Sequence, residues 1–231
     1  MKNKSILFFS LLFLILGCES KTETLNKEGA KPKKSLDTTV DTPLTNSMDD
    51  SSKVLFHQFF DESEQKAIYT IKENFDQGIC KGRQETDIRK CYEFHNWKLR
   101  SDLVLKHPLH LNFPYNGNTT LDSVLVADKL TNIWTNKCGL QLDDERVIHY
   151  FCIDINTKIA DYFQELAKSN EAINAYTESY IKNKSVSTAD IINFIMDSAE
   201  TLDFSKIDYQ IFYMILHLSV HEERQAMKRL K

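Results

Sequence analysis

From Val54 to the end of the chain, apolar residues recur at intervals of three and four, the signature of helices buried along one side. The pattern predicts a helix from about Glu64 to Cys80, with Ile68, Ile71, Phe75 and Ile79 on one stripe. A second runs from Asp87 to Lys106 through Ile88, Cys91, Tyr92, His95, Leu99 and Leu103, and Pro108 stops it. A third begins after Thr120 and ends at Gly139, read as the residue just past a helix C-terminus. A fourth spans Asp144 to Lys168 and carries Val147, Phe151, Ile155, Ile159 and Leu166. A fifth starts after Asn170, with Ile173, Tyr176 and Tyr180, and a sixth after Ser187, with Ile191, Ile195 and Leu202. The last covers residues 206–230, and its stretch from Ile211 to Val220, too short to span a bilayer, reads as a buried core helix. No alternating run reads as a strand. The expected fold class is all-α: a single domain over residues 53–231, of roughly six to eight helices, long enough to bury a real core.

The pattern before Val54 is different. Met1-Lys2-Asn3-Lys4 is a short basic start, and Ile6 to Leu16 is apolar throughout except for Ser10. This run is about half the ~20 residues a membrane helix needs, so it reads as a cleaved signal over residues 1–17. It ends in Leu16-Gly17-Cys18. A small residue before a cysteine at the end of a short apolar region resembles a bacterial lipoprotein signal. The resemblance implies cleavage before Cys18, a diacylglycerol on its sulfur, and further acylation for stable anchoring. Residues 19–52 hold no aromatic side chain and are rich in Ser, Thr, Lys, Asp and Asn. Such a segment has too little apolar surface to offset its ordering entropy. Residues 18–52 are therefore expected to be a lipidated, flexible tether that would hold the domain ~30 Å from its anchor.

Cysteine usage carries a second argument about compartment. Besides Cys18, the chain has Cys80, Cys91, Cys138 and Cys152. An even number in an exported domain suggests disulfides. Of the three possible pairings, Cys80–Cys91 and Cys138–Cys152 fit best, because each pair brackets a predicted turn between consecutive helices. Zinc is the rival reading, against which the spacings lack the short Cys-x-x-Cys form. The expected product is a domain stapled across its helix hairpins.

Charge and glycine content narrow the function. The net charge of −4 lacks the basic footprint of a nucleic-acid binder. Six glycines, none in a phosphate-cradling loop, argue against the common nucleotide folds. No Gly-x-Ser-x-Gly elbow is present. Glu62, Glu93 and Glu145 are candidate acids for a glycan-active enzyme, and none stands out from the other carboxylates. His217 and His221 share a helix face and could donate two ligands to zinc, but Leu218 stands where the metalloprotease pattern needs Glu, and no third ligand is evident. No cofactor is called for.

Two features point to a partner. The segment from Lys106 to Asn118 is long, holds two prolines, and presents His107, His110, Phe113 and Tyr115. Loops of this kind often carry function, although Leu109, Leu111 and Phe113 could instead tuck under the domain. Trp97 falls about 180° from the Ile88 stripe of its helix, with Phe94, Val104 and Leu105 nearer to it than to the core face. Tryptophan is a preferred interface anchor, and the competing reading is burial against another helix. The expected function is that of a lipid-anchored, non-enzymatic module of the cell envelope that binds another protein, in a concrete version an immunity protein or an inhibitor of a toxin or cell-wall hydrolase. The alternatives are a carboxylate enzyme acting on cell wall or glycan, and a ligand- or metal-binding lipoprotein.

Overall fold

The computed structural model describes residues 54–81, 85–104, 128–141, 146–183 and 188–228. All of them belong to the unit that backbone contacts group together from Pro43 to Lys231. The expected signal, Cys18, the tether, and the segment bearing His107, His110, Phe113 and Tyr115 lie outside the described residues.

The elements follow in order: α1 (Phe56–Phe59), α2 (Glu62–Cys80), α3 (Ile88–Val104), β1 (Trp134–Gln141), β2 (Val147–Ile153), α4 (Lys158–Ala167), α5 (Glu171–Asn183), α6 (Thr188–Asp197), a 3-10 turn (Ala199–Thr201) and α7 (Ile207–Lys228). Helix α2 starts on a capping box. The Asp61 carboxylate accepts from Glu64 N at 2.9 Å, and the Glu64 carboxylate accepts from Asp61 N at 2.7 Å, so two otherwise orphaned donors are satisfied. Helix α5 is started by Asn170, whose Oδ1 accepts from the backbone of Ala172 and Ile173.

Helix α7 forms the centre. Every residue from Tyr209 to Glu222 is buried, as a helix apolar on nearly all sides requires. Around it, Phe75 of α2, Tyr92 of α3, Phe163 of α4, Tyr176 of α5 and Phe194 of α6 meet its face through Phe212, Tyr213 and His217. Among the described residues no helix is long and apolar enough to cross a membrane.

The all-α expectation is overturned by an antiparallel hairpin. Strands β1 and β2 pair Gly139 with His149 and Cys138 with Tyr150, with an irregularity between Thr135 and Cys138. The expected third helix ends in strand β1, and the first part of the expected fourth helix is strand β2. Only Lys158–Ala167 of that fourth span is helical. The reason is geometric. Val147, Phe151, Ile155 and Ile159 are four apart, and residues four apart share a face in a strand as they do in a helix. Local composition then decides. Val147-Ile148-His149-Tyr150-Phe151-Cys152-Ile153 is dense in β-branched and aromatic side chains, which suit a pleated, half-buried surface. Gly139 is correspondingly not a helix cap. It lies in β1, where a Cβ would run into Val147 Cγ1 from the opposite strand.

Both expected disulfides are present, one in a different setting. Cys80–Cys91 joins the end of α2 to the first turn of α3, with Cα atoms 5.2 Å apart. Cys138–Cys152 crosses the strands of the hairpin, with Cα atoms 6.0 Å apart, and so is not a helix-hairpin bridge. A two-stranded sheet alone is marginal in water. Here the bridge holds it together and Trp134 pins it to the core. Trp134 is 1 % exposed, and its Nε1 donates to Ser219 Oγ of α7 at 3.1 Å.

Candidate partner-binding face on helix α3

Helix α3 is held in one rotation by contacts along its inner side. Tyr92 Oη donates to Asp76 Oδ1 at 2.7 Å, and Lys72 Nζ donates to Asp76 Oδ2 at 2.5 Å. Lys72 also stands over the Tyr92 ring, 5.5 Å from its centroid. All three side chains are buried. Burial pushes the Asp76 carboxyl above its ordinary value, while Lys72 and Tyr92 pull in the opposite direction. One turn on, His95 Nδ1 and Tyr213 Oη are 3.0 Å apart. Farther along, Arg100 pairs with Glu200 of the 3-10 turn. With the disulfide at its start, α3 is anchored to α2, α7 and the 3-10 turn.

That anchoring decides where Trp97 goes. Trp97 is 60 % exposed and Phe94 38 %, with ring centroids 5.3 Å apart. Of the two readings open from sequence, burial against another helix does not describe Trp97; its ring is on the surface. The charged residues preceding the pair are joined to one another: Arg89 to Asp87 and Glu93, and Lys90 to Glu85, at 3.6–3.7 Å. Such exposed ion pairs add little stability. They do set the aromatic pair beside a cluster of three carboxylates and two cations that carries one net negative charge.

The other candidates fall elsewhere. His217 is 1 % exposed, packed against the rings of Phe75 at 5.7 Å and His95 at 5.1 Å. Burial, reinforced by the neighbouring His95, His221 and Arg224, holds it well below the usual histidine range. His221 is buried too, 3.2 Å from the Gln225 side chain, and is pushed down to about 4 by burial and by Lys228. Among the described residues no three His, Cys, Asp or Glu side chains converge on a point where a metal ion could be held. Glu62 lines a shallow open groove with Ser63, Lys66, Ala67, Thr70 and Lys129, whereas Glu93 stands on the outer face of α3. Glu145 lies outside the described residues.

Sequence reasoning missed the polar networks that orient the helices. Glu64, besides capping α2, accepts from Lys158 Nζ at 3.1 Å and from Asn132 Nδ2, tying α2 to α4 and to the turn before β1. The Asp61-x-x-Glu64 spacing and the four-residue spacing of Lys72 and Asp76 were the available signals. Glu64 to Lys158 had none, because the partners are 94 residues apart.

Comparison with protein-family models, with curated proteins and with solved structures finds no match for this chain.

Proposed function

We propose that this chain is a lipid-anchored protein-binding module of the bacterial cell envelope, gripping its partner through the face of α3 that carries Trp97 and Phe94. The observation that carries the reading is the outward-facing Trp97, 60 % exposed on a helix whose rotation is fixed from behind. A tryptophan has only two side-chain torsions to fix, so on a helix already set in one rotation it offers a large contact area at small cost in conformational entropy, in keeping with its frequency among interface anchors. The two disulfides favour an oxidising compartment, in keeping with an anchor at Cys18. On sequence grounds the proposed surface extends to His107, His110, Phe113 and Tyr115. Its most concrete form is an immunity protein, or an inhibitor of a toxin or cell-wall hydrolase.

The test is cross-linking in intact cells with the full chain as bait, followed by mass spectrometry. One stoichiometric protein partner is expected, and Trp97→Ala should weaken the purified complex by about 2 kcal/mol or more without changing the stability of the free domain. Absence of any partner above background, or a partner held equally well by Trp97→Ala, overturns the proposal.

A further inference from the structure

Helix α3 meets the central helix through a seam of rings built around two histidines. His95 of α3 and His217 of α7 face each other with ring centroids 5.1 Å apart. Phe75 of α2 closes the seam edge-on, 6.1 Å from His95 and 5.7 Å from His217. Tyr213, one turn before His217, places its hydroxyl 3.0 Å from His95 Nδ1. His217 is buried and His95 half-buried.

The surroundings of this seam disfavour a positive charge. Burial comes first, and His95, His221 and Arg224 add their repulsion, so His217 is held well below the usual histidine range. On α7 the carboxylates of Glu222 and Glu223 start about 140° and about 120° around the helix from His217. The hairpin meets α7 about 160° away, where Trp134 bonds to Ser219. From α2 the seam receives the uncharged Phe75, and the Asp76 carboxylate next to it is already bonded to Lys72 and to Tyr92 of α3. From α3 it receives His95 itself. A closed seam thus requires a neutral His217, whereas an opened one returns the imidazole to an ordinary value of ~6.5. Proton uptake and closure oppose each other.

The side of the seam that can leave is the outer part of α3. Helix α2 is fixed by its capping box and by the bonds of Glu64 to Lys158 and Asn132. The start of α3 is fixed by the Cys80–Cys91 bridge and by Tyr92 on Asp76. Beyond Tyr92, the buried members of α3 among its described side chains are Asn96 and Leu99, and the tie at its far end is the surface pair of Arg100 and Glu200. Segments with so few buried contacts open first.

We infer that His95 and His217 form a pH-sensitive latch: a proton taken up from solvent at their seam releases α3, beyond its fixed start at Tyr92, from α7. The helix that carries Trp97 then moves while the rest of the domain stays folded. The latch is independent of any partner proposed for the α3 face.

The test is amide hydrogen exchange of the full chain without a partner, at about pH 7.5 and about pH 5, with each rate corrected for the intrinsic pH dependence of exchange. The opening constant for α3 amides beyond His95 should rise about 30-fold between the two, the factor for one imidazole returning to ~6.5 on opening. Amides of α4 and α5 should keep their protection. His217→Gln should abolish the rise in α3, and His221→Gln, altered on the same helix but outside the seam, should retain it. If His217→Gln folds poorly, His95→Gln serves in its place, and the contrast between α3 and α4 in the parent decides without any variant. Unchanged protection of α3 at the lower pH, an equal loss in α3 and α4, or a rise that survives in the seam variants overturns the inference.

Discussion

Asp208, in the first turn of α7, accepts the backbone N–H of Phe56 at 2.9 Å, and its other carboxylate oxygen accepts that of Leu55 at the same distance. One side chain thus caps the short helix α1 from 152 residues away. Tyr162 Oη donates to the same carboxylate at 3.2 Å, so α1, α4 and α7 meet on a single acid. Helix α1 has only four residues and no cap of its own, which makes this the contact that places Phe56, fully buried, in the core.

Asp208→Ala should therefore cost about 2–3 kcal/mol, because two backbone donors lose a charged acceptor at once, while Tyr162 keeps the backbone carbonyl of residue 208 at 3.1 Å. Urea unfolding reads the loss. A change below about 0.5 kcal/mol would show that water replaces the carboxylate without penalty.

The buried pair of Lys72 and Asp76 should respond asymmetrically. Asp76→Ala leaves the Lys72 ammonium buried without its anion and is expected to cost about 3–5 kcal/mol. Replacing both with apolar residues of similar volume should recover much of that loss. A double-mutant cycle by chemical denaturation measures the coupling, and a coupling near zero would mean that Lys72 finds water in the variant.

The hairpin should depend on its disulfide more than the helices depend on theirs. Changing Cys138 and Cys152 together to Ala is expected to cost about 2–3 kcal/mol by the chain-entropy argument. It should also raise amide exchange first in β1 and β2, because no third strand supports them among the described residues. Removal of Cys80 and Cys91 should cost a similar amount and leave hairpin protection in place. Equal loss of protection throughout the domain in both variants would contradict this division.

Stability should fall on mild acidification. His217 and His221 are both held below their ordinary value of 6.5 in the fold, His221 at about 4. The unfolded chain therefore takes up protons near pH 6.5 that the folded domain refuses. Their contribution is full above pH 6.5 and is lost progressively as pH falls from there toward 4. Asp76, raised by burial, acts in the opposite sense, favouring the fold at pH below its own raised value. Denaturant midpoints between pH 7 and pH 5 should fall for the parent and fall less for His221→Gln. A flat profile in the parent would mean that the histidines take up protons in the fold as readily as in the open chain.

Much of the helical framework was legible in the amino-acid order. Starts expected after Asn170 and Ser187 and at about Lys206 match α5, α6 and α7 to within a residue, because each has a sustained 3.6-residue pattern behind a polar boundary. Both cysteine pairings were legible too, Cys80–Cys91 for the expected reason, a turn between consecutive helices, and Cys138–Cys152 although the turn it brackets joins two strands. The hairpin was not, because a four-residue apolar spacing satisfies strand and helix alike, and only pairing with a second strand selects between them. Residue spacing placed Trp97 opposite the core stripe of its helix, yet a helix with two apolar sectors fits equally well in the middle of a bundle or at its edge. That choice belongs to the tertiary structure. The disulfide, the Lys72–Asp76–Tyr92 network and the Arg100–Glu200 pair fix one rotation of α3, and in that rotation Trp97 stays 60 % exposed, with Phe94 of its own helix beside it. The same holds for Asp208 and Phe56. Each residue type was plain in the chain, but contact between groups so far apart exists only once the helices between them have packed.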